Sequence, residues 1–364
     1  MKNKICVYAI CKNEIKFIER WYNSVKEADY VCVLDTGSSD GSFEKLKKLG
    51  IITQQIKYAN FRFDVARNDS LKLIPPDTTI CVCVDLDEFF IPGWSKILKE
   101  NWKPDTTQAR YRYTWNFNPN GTEDTVFMAE KIHSLNNFIW VNPVHEVLSF
   151  KGNTNNIINL PQIQLNHKAD NTKSRSSYLP LLELAVKENP ENDRNIHYLG
   201  REYYFYKQYN KAISTLKKHL QCKSAIWKDE RCTSLRYIAK CYFALGKIKK
   251  QEKYLLLAIL ENNNLREPYF ELGEFYYNNK KYLKAIFAFE EMLKIKNREI
   301  NYISLSICWS GLVYDYLAIC YYELKDYKKA ILNTEIALTY KNDERLKNNL
   351  KIYKQLLSTE LRIK

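Results

Sequence analysis

An apolar run, Ile80-Cys81-Val82-Cys83-Val84, ends abruptly in Asp85-Leu86-Asp87-Glu88. An unpaired carboxylate buried in a core costs several kcal/mol, so acids at the carboxyl end of a core strand must meet a cation or a ligand there. Tyr30-Val31-Cys32-Val33-Leu34 runs into Asp35-Thr36-Gly37-Ser38-Ser39-Asp40-Gly41 in the same way. In an open α/β sheet the ligand crevice lies beyond the carboxyl ends of the strands. Two strands about 50 residues apart, each delivering carboxylates to one rim, outline a site for a nucleotide diphosphate and its metal.

Strand and helix signals alternate up to about residue 100. Strands are expected at Ile5 to Cys11, Tyr30 to Leu34, Ile51 to Ile56 and Ile80 to Val84, with helices over Ile15 to Ala28, Ser42 to Leu49 and Ala66 to Leu73. That alternation predicts a mostly parallel sheet. Residues 108–150 change character: Arg110 to Phe117 alternates polar and aromatic residues, and Asn118-Pro119-Asn120-Gly121 reads as a turn between antiparallel strands.

From about residue 177 strand signals vanish and a repeat appears. Gly200, Ala239, Gly273 and Ala318 each stand in an aromatic-rich helix, and 12 residues on come Ala212, Gln251, Ala285 and Ala330 in a second helix. Small residues at fixed positions let paired helices approach closely, with tyrosines filling the gaps. The starts are 39, 34 and 45 residues apart, which predicts longer loops near residues 221–231 and 296–311.

Composition limits the alternatives. A chain of 364 residues with 45% apolar side chains is long enough for two domains. No apolar run reaches the length of a membrane span, and Lys12-Asn13-Glu14 interrupts the one stretch that mimics a signal peptide. A cytoplasmic protein without a transmembrane segment is expected. Ten cysteines, most of them in apolar contexts and with no paired C-x-x-C spacing, read as reduced core residues. The net charge of +14 is spread over scattered lysines with no basic-aromatic stripe, so nucleic acid is not the expected partner.

Four segments taken together, Ala9-Ile10-Cys11-Lys12-Asn13-Glu14, the Asp35 to Gly41 turn, Phe63-Asp64-Val65-Ala66-Arg67-Asn68 and Asp85-Leu86-Asp87-Glu88, resemble family 2 glycosyltransferases of GT-A fold. The helical repeat resembles tetratricopeptide repeats, and the pair of domains resembles the sublancin-type peptide S-glycosyltransferase branch. The fold class expected is α/β: a GT-A, Rossmann-like nucleotide-sugar domain over residues 1–170, followed by an all-α tetratricopeptide-like domain over 171–364.

The resemblance implies roles for particular residues. Asp87 is the expected metal ligand, holding Mn2+ or Mg2+ against the leaving diphosphate. Asp85 is implied to face the ribose, sharing a side with Asp87 if the strand continues. Asp35 is implied at the nucleotide base, with Asp64 and Arg67, on one face of a helix's first turn, and Glu14 in the same pocket. Asp64 with Arg67 equally fits a structural ion pair. Of the five histidines, His167 is the expected completion of the metal shell, with His145 as the alternative; His133, His197 and His219 look incidental. Glu146, which follows the acceptor-side strands, is the expected general base, with Glu123, Asp124 and Glu130 as other candidates. Trp115 and Trp140 are placed either against a sugar or in the core.

The resemblance implies a metal-dependent transfer of a sugar from a UDP-sugar to a peptide, protein or glycan acceptor, with inversion as in family 2. The repeats would capture a peptide in a groove, brace the first domain, or form a homodimer. A nucleotidyltransferase would want a glycine-rich, basic loop after the first strand, and Cys11-Lys12-Asn13-Glu14 is not one. A repeat scaffold with an inactive nucleotide-sugar-binding domain is the non-enzymatic alternative; intact Asp35, Arg67 and Asp87 speak against it.

Overall fold

The computed structural model describes residues 3–169, 178–300 and 302–363. The chain divides into two compact units, Met1–Pro190 with Ile300–Ile303, and Glu191–Glu299 with Ser304–Lys364.

In the first unit the alternating pattern becomes β1 (Ile5–Cys11), α1 (Ile18–Val25), β2 (Tyr30–Asp35), α2 (Ser42–Lys48), β3 (Ile52–Gln55), α3 (Phe63–Leu71) and β4 (Ile80–Cys83). There follow β5 (Glu88–Phe90), α4 (Trp94–Asn101), β6 (Gln108–Phe117), β7 (Glu123–Ser134), β8 (Phe138–Val141), β9 (Val147–Phe150), β10 (Ile157–His167) and α5 (Tyr178–Glu188). The sheet runs β3-β2-β1-β4-β7-β6-β10-β5, while β8 and β9 form a separate ribbon. The first four strands are parallel, and β7 then pairs antiparallel with both β4 and β6. The chain leaves β1 for β2 and β3 on one side and returns to β4 on the other. The topological switch point therefore lies between β1 and β4, at the ends that carry Asn13 and Asp85, which is where an open α/β sheet takes its ligands.

The core beneath it is the apolar face of these strands, with Val7, Val33, Val82, Trp21, Trp94 and Tyr111 buried. The division expected after residue 170 differs from the observed one because α5 stays with the first unit. Arg62 reaches Glu188 at 2.5 Å, and the Phe63 and Tyr178 rings lie 6.1 Å apart. The ten cysteines are all free, nine of them buried.

The second unit is a series of antiparallel helices: α6 (Asp193–Phe205), α7 (Tyr209–Gln221), α8 (Lys228–Ala244), α9 (Ile248–Glu261), α10 (Arg266–Asn278) and α11 (Tyr282–Lys294). After a long connection come α12 (Leu312–Glu323), α13 (Tyr327–Tyr340) and α14 (Glu344–Ile363). The small residues do what their spacing predicts. A Cβ on Gly200 would stand 2.5 Å from Leu216 Cγ, and one on Gly273 2.4 Å from Phe289 Cε1. Three residues after each small one, a buried tyrosine lies under a lysine of the next helix. The pairs are Tyr203 with Lys211 at 5.3 Å, Tyr242 with Lys250 at 5.4 Å, Tyr276 with Lys284 at 5.3 Å and Tyr321 with Lys329 at 4.9 Å. Between the helices of each pair the chain turns through one left-handed residue, Lys207, Gly246, Lys280 or Lys325. Among the described residues no helix is long and apolar enough to cross a membrane.

Candidate active site

At the end of β2, Asp35 is fully buried. Its Oδ1 accepts from the backbone N–H groups of Gly37 at 2.9 Å and Ser38 at 2.8 Å, and from Gln55 Nε2 at 2.9 Å. Its Oδ2 has no hydrogen-bond partner. A buried carboxylate oxygen left bare is expensive, so Oδ2 is poised for a donor that arrives from outside. The neighbouring β1 end is knitted to this turn: Asn13 Oδ1 accepts from Ser39 N at 2.8 Å, and Glu14 N donates to Ser42 Oγ at 2.9 Å. Asn13 stands at φ 56, Asn142 at φ 80 and His145 at φ 51, three non-glycine residues in the left-handed region within this unit. Such backbone strain clusters at ligand sites.

The acidic segment after β4 is a turn, not a continued strand. Glu88 N donates to Asp85 O at 2.9 Å, and Glu88 Oε2 accepts from Asp85 N at 2.8 Å. Asp85 and Asp87 therefore part company instead of sharing a side. Asp85 is held by Arg67 through NH2 and by Lys131 Nζ at 2.9 Å. Burial works to raise the Asp85 carboxyl, but those two cations outweigh it and hold the group well below the usual carboxylate range. Arg67, 3% exposed, also donates from Nε to Glu146 Oε1 at 3.0 Å and lies 5.5 Å from the Trp140 ring. Lys131 reaches Glu88 Oε1 at 3.3 Å, and that same oxygen accepts from Tyr113 OH at 2.7 Å. Burial pushes the Glu88 carboxyl up, with Lys131 opposing and Asp85 adding to the rise.

Asp87 faces the other way, toward β10. Because β5 pairs antiparallel with β10, with Glu88 opposite His167, the imidazole is delivered beside Asp87. His167 Nε2 stands 3.2 Å from Asp87 Oδ2. His167 Nδ1 is 2.9 Å from Trp115 O, a carbonyl that only accepts, so Nδ1 carries the proton. Nε2 therefore presents either a lone pair or a second proton to the carboxylate. A divalent cation bound by both atoms would resolve the first case, and one oxygen and one nitrogen donor with phosphate oxygens suit Mn2+ or Mg2+. Burial lowers the His167 pKa, but Asp87 outweighs it and the net direction is upward. Trp115, half exposed, stacks on His167 with ring centroids 4.4 Å apart, while Trp140 is buried and donates from Nε1 to Tyr8 OH at 2.9 Å.

Other residues singled out in the sequence lie elsewhere. Asp64 makes no pair with Arg67 and is gripped in bidentate fashion by Arg62, at 3.0 and 2.9 Å. His145 sits edge-on to Tyr178 at 5.7 Å. Glu123 pairs with Arg112 and Glu130 with Arg110, and Asp124 accepts from Asn116 Nδ2 at 2.8 Å. Lys131 and Arg20, whose NH2 donates to Asp87 O at 3.0 Å, stand in no sequence motif, and Glu88 closes the Asp85-Leu86-Asp87-Glu88 segment without a role assigned from sequence. Lys131 comes to the site through a bulge, where Glu130 and Lys131 oppose the single residue Arg110 of β6.

Residues 6–153 match the family model for glycosyl transferase family 2, and residues 266–359 match that of the prolyl 4-hydroxylase peptide-substrate-binding domain. No curated protein matches the chain. Solved structures similar to it include the MamA protein, at 19% identity over 47% of this chain and 90% of that one, with a TM-score of 0.38. Another is YrrB, described as a TPR protein with an unusual peptide-binding site, at 17% identity over 49% and 83%, TM-score 0.37. A third is the C-terminal part of a TPR repeat-containing protein from Cytophaga hutchinsonii, at 15% identity over 51% and 67%, TM-score 0.42. The chain carries a glycosyl transferase family 2 domain over residues 6–153, built on a mixed sheet, followed by a tetratricopeptide-like helical domain.

Proposed function

We propose that this protein is a metal-dependent glycosyltransferase that moves a sugar, with inversion, from a UDP-sugar to a peptide or protein acceptor. The observation that carries this reading is the facing pair Asp87 and His167, at 3.2 Å, in the unit whose β2 ends in the bare Asp35 Oδ2. Asp35 Oδ2 would accept an N–H of the nucleotide base. Asp85, fixed by Arg67 and Lys131, would present toward the ribose, and Glu14 and Asp64 would border the nucleotide through the loops they anchor. Asp87 and His167 would hold Mn2+ or Mg2+, which when bound neutralises the leaving diphosphate.

Glu146 is offered as the group that takes the acceptor's proton. Its Oε1 already accepts from Arg67 Nε at 3.0 Å. An acceptor that is itself acidic, such as a peptide thiol, needs less help from a general base than a sugar hydroxyl does, in keeping with a sublancin-type reaction. A peptide acceptor is further supported by the match of residues 266–359 to a peptide-substrate-binding domain. Ten free cysteines fit a reducing, cytoplasmic setting.

The test is calorimetric titration of UDP and a panel of UDP-sugars with and without Mn2+, on the full chain and on Asp87→Asn. Metal-dependent UDP binding that Asp87→Asn abolishes is the expected result. Equal binding in excess chelator sinks the reading.

A further inference from the structure

Two of the histidines that look incidental in the sequence meet inside the helical unit. His197 on α6 and His219 on α7 are fully buried, and Glu230 on α8 is 4% exposed. Their ligand atoms lie within 4.8 Å of one another. Ser234 Oγ stands between the rings, 2.7 Å from His197 Nδ1 and 2.9 Å from His219 Nδ1. A hydroxyl has one proton, so it donates to one ring and accepts from the other.

The far side of His219 is anomalous. Its Nε2 is buried and has no hydrogen-bond partner, although Glu230 Oε1 is 3.3 Å away. Among the described residues His219 is also the one group paired with the Glu230 carboxylate. A buried carboxylate whose single neighbour is a poorly aligned imidazole is a costly arrangement in the absence of a cation.

The same geometry suits a bound metal. Two imidazoles and one carboxylate are a familiar zinc donor set that leaves the fourth tetrahedral position to a water, and bonds of about 2.0–2.1 Å to such an ion set ligand atoms roughly 3.3–3.4 Å apart. His219 Nε2 and Glu230 Oε1 already have that separation. Ser234 does what an outer-shell partner does, fixing the His219 ring through Nδ1 so that Nε2 is the ligating atom. Nitrogen donors favour Zn2+ over Mg2+ or Ca2+. Full burial excludes a substrate, and the three ligands come from three consecutive helices.

We propose that His197, His219 and Glu230 form a structural zinc site that pins α6, α7 and α8 together. The test uses the full chain in an Asp87→Asn background, so that the candidate donor site contributes no metal. Protein stripped with chelator, loaded with Zn2+ and desalted should retain about one zinc per chain. Its thermal midpoint should rise by several degrees, as expected for a ligand bound to the folded state alone. Glu230→Gln and His219→Gln in the same background should lose both the zinc and the shift. Should either variant fail to fold, Co2+ loaded into the Asp87→Asn chain decides instead, by the intense visible absorption of a tetrahedral ion. No retained zinc, retention unchanged in a folded Glu230→Gln or His219→Gln variant, or a pale octahedral cobalt spectrum overturns the proposal.

Discussion

His167 spends Nδ1 on the carbonyl oxygen of Trp115 and turns Nε2 toward Asp87 Oδ2 at 3.2 Å. The tautomer is dictated by a group that can only accept, so the imidazole arrives at Asp87 already oriented. Outer-shell fixation of this kind typically changes metal affinity or activity by 10–100-fold. His167→Ala and Asp87→Asn should each fold, as judged by circular dichroism, and each lose at least ~100-fold in transfer rate, with UDP binding no longer responsive to Mn2+. Full activity of either variant removes it from the metal shell.

Glu146→Gln separates a base from a support. It should slow transfer at least ~100-fold with donor affinity near normal, the size expected for a lost general base. A loss of only a few-fold together with weaker UDP binding assigns Glu146 to holding Arg67. Steady-state kinetics beside donor titration distinguishes the two.

Lys131→Met leaves Asp85 and Glu88 facing one another with one cation fewer. Removing one partner of a buried ion pair costs about 3–5 kcal/mol. Lys131 is 28% exposed, so about 2 kcal/mol is expected here, measured by urea unfolding. Donor affinity should fall as well, because Asp85 would be held by Arg67 alone. Lys131→Arg should restore part of both.

His133 supplies a pH signature. It is fully buried, Nδ1 lies 2.9 Å from Ser134 O, and Nε2 lies 2.7 Å from Tyr8 OH. Burial pushes its pKa down to about 4 from 6.5. The folded value is the lower one, so the unfolded chain takes up the proton first as pH falls. Stability from this group is intact above about pH 7 and declines between about pH 6.5 and 4, by about 2 kcal/mol on reaching pH 5. Comparing urea midpoints at pH 7.5 and 5, His133→Gln should be less stable at pH 7.5 and show a smaller drop. An identical drop assigns the acid sensitivity to other groups.

Lys207, Lys280 and Lys325 are exposed and sit at φ 58, 57 and 62 in the turns between paired helices, where the corresponding residue of the remaining pair is Gly246. A side chain in the left-handed region costs roughly 1–2 kcal/mol, partly offset by glycine's loss of about 0.5–1 kcal/mol in entropy. Each Lys→Gly change should therefore stabilise the helical unit by about 0.5 kcal/mol, and Gly246→Lys should do the reverse. Thermal unfolding of the triple variant reads the sum. A lower midpoint contradicts the strain assignment.

Strands β1, β2 and β4 were legible nearly to the residue, because a buried parallel strand is an unbroken apolar run closed by a polar turn. The helix pairs were legible because close approach demands small residues at fixed places, as Gly200 against Leu216 shows. Helix α3 starts at Phe63, three residues ahead of the expected Ala66, because Arg62 and Pro143 secure its first turn in space. Asp87 was visible as a strand-end acid. Lys131 was not, because a bulge opposite Arg110 sets its direction and alternation along β7 does not reveal it. The divergence of Asp85 from Asp87 was hidden as well, since it depends on a turn closed by Glu88.

The tyrosine-to-lysine interval of eight residues is the same in all four helix pairs, although the starts of the pairs are 39, 34 and 45 residues apart. Length variation in this unit is thus confined to the joints between pairs. A residue inserted between Tyr276 and Lys284 would rotate the following helix by about 100 degrees and carry the ammonium off the ring. The same residue inserted between Gln221 and Lys228 would be absorbed by a connection that already varies. Loops, tags or whole modules can accordingly be grafted at the joints, and circular permutants opened there should keep every helix pair whole.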